Sequence, residues 1–155
     1  MKLNFIIVMA IAFFMASCGG DKPKSEAPVS EPLKEVEAET SSADPMANKG
    51  IGPISTVSLG DIDQAMVTEG ETVFKAKCSA CHKISKKFVG PALKGVTGRR
   101  SPEWIMNMIM NPEEMIQKDP IAIRLLAEAN GAPMANQNIT KDEARAILEY
   151  LRTKN

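Results

Sequence analysis

Cys78-Ser79-Ala80-Cys81-His82 is the stretch on which the reading of this chain turns. It sets two thiols about one helical turn apart, with an imidazole directly after the second. Three chemistries use cysteines at this spacing. Zinc needs further ligands, and the chain has only Cys18 besides these two cysteines and only His82 as histidine. A thioredoxin-like pair stands after a strand of a parallel sheet, and no alternating strand pattern precedes Cys78. The third chemistry is C-x-x-C-H attachment of haem. Two thiols add to the two vinyl groups on one porphyrin edge, and the adjacent histidine is carried under the ring to bind iron through Nε2. The expected cofactor is one covalent haem c, held by Cys78, Cys81 and His82.

A single histidine excludes bis-histidine ligation within one chain, leaving a methionine, a weaker group or nothing as sixth ligand. The chain has ten methionines. Met106, Met108, Met110 and Met115 lie on or near apolar helix faces, where a packing role is the safer reading. Met134 sits in the loop Gly131-Ala132-Pro133-Met134-Ala135-Asn136, far enough along to return to the opposite haem face. Met134 is the chosen iron ligand, with Met110 and Met115 as the alternatives.

Outward from the motif, the pattern is helical. A helix capped near Asp61 is expected to run to Cys78, carrying Val67, Gly70 and Phe74. Gly70 costs such a helix about 1 kcal/mol relative to alanine, which points to a close backbone contact. Ser101-Pro102-Glu103 reads as cap, N1 proline and first-turn acid. Asn111-Pro112, with Glu114 in the capping-box position, and Asp119-Pro120 repeat the device, and Gly131 ends the helix that follows. Thr140 and Glu143 form a capping box before the stripe Ala144, Ile147, Leu148, Leu151. The fold class is all-α. Short helices and long loops leave a thin core that a large apolar cofactor would fill.

The other end of the chain reads as export. A charged start and the uncharged run Phe5 to Ala16 form a signal-peptide pattern too short to span a membrane comfortably. It ends Met15-Ala16-Ser17-Cys18-Gly19, which resembles a bacterial lipobox. Residues 1–17 are therefore expected to be a lipoprotein signal peptide and Cys18 a lipidation site. A plain secretory peptide and an uncleaved anchor are the alternatives. Residues 18–58, rich in Pro, Glu, Lys, Ser and Ala without an aromatic, are expected to be a flexible lipid-anchored tether. Residues 59–155 form the haem-bearing domain.

From about Asp63 to Arg152 the chain resembles the class I mono-haem bacterial cytochromes c. Gly70 and Phe74 match that family's first helix, and Tyr150 and Leu151 match its last. The resemblance implies that these two helices cross, and that short helices wrap one covalent haem. Gly90-Pro91-Ala92-Leu93 matches the segment in which, by resemblance, the Pro91 carbonyl takes the Nδ1 proton of His82. The family's axial methionine stands shortly before the last helix, which again selects Met134. Trp104 matches an aromatic that packs near a haem propionate, though a plain core role fits it nearly as well. Many relatives have proline after that methionine where this chain has Ala135, leaving the loop freer. Asn136 or Asn138 is a candidate hydrogen-bonding partner near the sulfur.

The expected function is one-electron transfer between a respiratory donor and a terminal reductase or oxidase, by a carrier that is not an enzyme. The alternative is a gas sensor or peroxidase-like enzyme with an open sixth position. The net charge is zero, yet Lys75, Lys77, Lys83, Lys86, Lys87, Lys94, Arg99 and Arg100 follow one another without an acid. This Lys75–Arg100 patch suits steering onto an acidic redox partner; a solvated face and anionic lipid are the other readings. Export argues against nucleic acid. A monomer is expected, with the domain facing the periplasm and the outer membrane the preferred anchorage.

Overall fold

In the computed structural model residues 44–155 are described, and every regular element among them is helical. The helices are α1 (Gln64–Val73), α2 (Pro102–Met110), α3 (Pro112–Lys118), α4 (Pro120–Glu128) and α5 (Lys141–Arg152). The all-α expectation holds. Four starts are fixed by side-chain oxygens that satisfy first-turn amides. Asp63 accepts from Ala65 and Met66, Ser101 from Trp104, and Asp119 from Ile121 and Ala122, while Thr140 and Glu143 complete a capping box. The cap of α1 is thus Asp63 and not Asp61. Asn111 also departs from expectation, because its side-chain amide donates to Ile51 O and Glu114 Oε2 and caps nothing.

After Val73 the α-helical ladder gives way to one π-helical turn, Phe74–Cys78, closed by Ser79 N to Phe74 O at 2.9 Å. Cys78 is the last residue of that turn, and Cys81 follows three residues on. A 3₁₀ turn, Val96–Gly98, precedes α2.

The centre of the fold is the contact of α1 with α5. Gly70 is buried, and a Cβ there would run into the Ala146 carbonyl oxygen. Only hydrogen fits, so the two backbones touch. One turn on, the Phe74 and Tyr150 rings pack 5.4 Å apart at a 40° tilt. Ala144, Ile147, Leu148 and Leu151 are buried, as the α5 stripe requires.

Residues 48–57, assigned from composition to the tether, are instead packed against α2 and α3. Glu103 and Asn107 on α2 and Asn111, the residue directly after it, recur every four residues and bind the backbone of this strap. Asn107, 1% exposed, accepts from Ile54 N and donates to the Lys49 and Ile54 carbonyls, each at 2.9 Å. Glu103 accepts from Val57 N, and the Met115 sulfur accepts from Ile51 N. Ile54 is 4% exposed. Satisfied backbone and a buried isoleucine offset the ordering entropy that composition alone left unopposed.

Candidate functional site

His82 is held from two sides. Its Nδ1 is 3.2 Å from the Pro91 carbonyl, so that nitrogen carries the proton and donates, and Nε2 keeps its lone pair. A Cβ on Gly90 would strike the imidazole, so glycine lets the backbone lie flat against the ring. The loop is closed by Gly90 N to Cys81 O at 3.0 Å and by Leu93 and Lys94 amides on the Lys83 and Ile84 carbonyls. Burial lowers the His82 pKa and outweighs the opposing Pro91 contact, which favours the neutral, metal-binding imidazole. Cys78 is half-buried and Cys81 exposed. Burial raises the Cys78 thiol, opposed by the Lys77 ammonium.

Cys78, Cys81 and His82 line one side of a cavity of about 520 Å³. Leu93, Ile109, Ile147 and Leu151 supply apolar wall, and Met134 lines the same space. The Met134 loop is set at one end by Gly131, in the left-handed region at φ 76, whose amide bonds Leu126 O at 2.9 Å. Ile139, 7% exposed, holds the other end. Met110 and Met115 are not in the lining. Met115 is wholly buried, and its sulfur is taken by Ile51 N at 3.0 Å.

Several lining residues went unrecognised in the sequence, Met108, Arg124 and Gln137 among them. Met108, read as core, reaches the cavity from α2. Gln137 is the loop amide in the lining, whereas Asn136 Oδ1 accepts from Asn138 N in a local turn. Trp104 also lines the cavity at 4% exposure, and its indole N–H is given to Asp119 Oδ1 at 3.1 Å. In the basic run, Lys75 pairs with Glu71 and Lys77 with Glu143, so part of it is neutralised locally. Cys18 and the signal-peptide pattern lie outside the described residues.

An all-helical domain with a cysteine pair and an oriented imidazole on a large apolar cavity is an arrangement suited to attaching haem. The cytochrome c family model matches residues 67–155. Cytochrome c-551 of Stutzerimonas stutzeri is 30% identical over 92 residues, covering 56% of this chain and 78% of that protein. Cytochrome c-551 of Ectopseudomonas mendocina is 32% identical over 89 residues, covering 54% and 95%. The solved cytochrome c from Rhodothermus marinus is similar at TM-score 0.67 and 46% identity, over 71% of this chain and 96% of that one. The chain belongs to the cytochrome c family, among its class I mono-haem bacterial members. Membership supports a general electron-carrier role, implies a single covalent haem c, and implies redox partner proteins.

The residues present fit that group. Native interiors are close-packed, and a space this large within a small helical unit is of ligand size. Its walls are mainly apolar, two thiols stand at one side, and the histidine is oriented with Nε2 free.

Proposed function

We propose that this chain shuttles single electrons between a respiratory donor and a terminal reductase or oxidase. Its haem c is attached through Cys78 and Cys81 and ligated by His82 and Met134. The observation that carries this reading is the lining of one apolar cavity by both the Cys-Cys-His segment and Met134.

Bound haem supplies an iron that takes up one electron in the ferric state and releases it from the ferrous state. The chain does the rest. Cys78 and Cys81 would hold the haem, each thiol adding across a vinyl group with its hydrogen passing to the neighbouring carbon. The Pro91 carbonyl keeps the Nδ1 proton in place and Nε2 directed as a ligand. As a ligand the Met134 thioether would favour the ferrous state, and the apolar walls would disfavour excess charge; both would raise the potential.

Partner docking is assigned to the cavity edge beside Cys81. Phe88 is 54% and Val89 44% exposed there, and the Lys83 ammonium lies 5.2 Å from the Phe88 ring centroid. With Lys86 and Lys87, this favours a partner whose acidic surface surrounds an apolar centre. Cys18 is proposed to carry lipid and to hold a monomeric domain in the periplasm at the outer membrane. No helix among the described residues is long and apolar enough to cross a membrane.

The test is production alongside haem-attachment machinery, followed by absorbance of the denatured protein and a potentiometric titration. Haem that stays with the denatured chain, is lost in Cys78→Ser/Cys81→Ser, and titrates as one electron supports the carrier. Attached haem that binds carbon monoxide readily in the reduced protein would instead indicate an open-site sensor or peroxidase.

A further inference from the structure

Lys87 makes a contact unlike those of the other lysines near the cysteines. Its ammonium donates to the Glu128 carbonyl oxygen, 41 residues along the chain. Lys75 and Lys77 pair with the carboxylates of Glu71 and Glu143, and Lys83 reaches back to the Ser79 carbonyl. The two ends of the Lys87 contact belong to different parts of the cavity lining. Lys87 stands in the loop that leaves His82 and returns through Gly90 and Pro91. That loop is pinned to the Cys-x-x-Cys-His segment by Gly90 N on Cys81 O and by the Pro91 carbonyl on Nδ1. Glu128 is the last residue of α4 and lines the cavity, as do Ala129, Ala132 and Met134 after it. Among the described residues this is the single hydrogen bond that joins residues 79–100 to residues 120–139.

The carbonyls of a helix's last turn lack intrahelical donors. At the end of α4 the Leu125 and Leu126 carbonyls are met by the amides of Ala129 and Gly131, and Ala127 by that of Asn130, whereas Glu128 O receives no backbone amide from a described residue. Lys87 supplies that donor and sets a cation at the negative end of the helix dipole. Little else secures the chain beyond Gly131. The hydrogen bonds that residues 132–138 make with described residues are local, Ala132 N to Ala129 O and Asn138 N to Asn136 Oδ1. Each of these residues except Met134 is exposed. Met134 therefore depends for its place on buried Ile139 at one end and on the last turn of α4 at the other.

We infer that Lys87 is a positioning residue: it latches the end of α4 to the His82 loop and so keeps Met134 on the iron and the sixth position closed to other ligands. This rests on the proposed ligation by His82 and Met134. Lys87 acts through the Glu128 carbonyl. Without it the last turn of α4 frays, as helix ends do when their carbonyls lose a partner, and the Met134 loop moves with it. The latch thus bears on the choice between a closed electron carrier and an open ligand-binding site.

The test mixes the ferric holoprotein with imidazole at pH about 8, where that ligand is uncharged. Imidazole can bind only after Met134 leaves, so the rate reached at saturating imidazole reports how often the methionine side opens. Lys87→Met keeps the aliphatic stem and removes the donor, Lys87→Arg keeps a cationic donor, and Lys86→Met removes an equal charge from the neighbouring residue. Lys86 and Lys87 are both exposed, so the replacements leave the core untouched. Lys87→Met is expected to raise the saturating rate about fivefold, or about 1 kcal/mol on the barrier. Lys87→Arg is expected to return it toward the parent's value and Lys86→Met to leave it unchanged. An unchanged rate in Lys87→Met, or an equal rise in Lys86→Met, would overturn the latch and leave the haem site standing. A parent protein that attaches no haem, or whose ferric form lacks the methionine–iron band, would overturn the site and the latch together.

Discussion

The carbonyl oxygen of Ala146 occupies the space that a Cβ on Gly70 would need, so α1 and α5 meet backbone to backbone. Alanine at position 70 would gain about 1 kcal/mol of helix propensity. It would also force the helices apart, at about 1–3 kcal/mol for overpacking. The second effect wins because Phe74, Tyr150 and Ile147 are packed on the same seam. Gly70→Ala is expected to lower the thermal midpoint of the holoprotein by several degrees, read by far-ultraviolet circular dichroism; an unchanged or raised midpoint would show that the seam is loose.

Asn107 makes three hydrogen bonds to the strap from a buried position. Asn107→Leu keeps the volume and leaves Ile54 N and two carbonyls unpaired, at about 1–3 kcal/mol for each group that stays buried. A lower urea midpoint is expected, together with new proteolytic cleavage between residues 48 and 57. Protection of that segment equal to the parent's would mean that Asn107 does not hold it.

Glu149 is fully buried. Burial works to raise its pKa, but hydrogen bonds from Arg145, Arg152 and the Asp63 amide outweigh it and hold the carboxyl below the ordinary range. A depressed folded-state pKa adds stability that is present above the unfolded value of about 4.3 and lost as pH falls through the folded value. Glu149→Gln is therefore expected to be less stable than the parent at pH 7, with a shallower loss below pH about 4. Parallel stability–pH curves for the two proteins would contradict the assignment.

The Cys-x-x-Cys-His segment stands out in the sequence because the bond-forming chemistry proposed for it fixes both residue type and spacing: thiols at 78 and 81, imidazole at 82. Pro91 was reached through resemblance, and its 3.2 Å contact with Nδ1 agrees with that expectation. The helix caps were legible where the side chain acts on its own first turn. The strap was not, since its backbone is satisfied by Glu103, Asn107 and Asn111 some fifty residues later. The available signal was a polar residue every fourth position on an otherwise apolar helix. Gln137 and Arg124 were missed for a related reason. Which loop or helix residue faces a cavity depends on the angle at which its element crosses, and no local pattern encodes that.

The central claim is iron ligation by His82 and Met134. The most direct measurement is the near-infrared spectrum of the oxidised holoprotein, taken beside that of Met134→Ala. A methionine–iron charge-transfer band in the parent, lost in the variant together with a fall in potential, is the expected result. No such band in the parent, or a band that survives Met134→Ala while Met108→Leu abolishes it, would contradict the account.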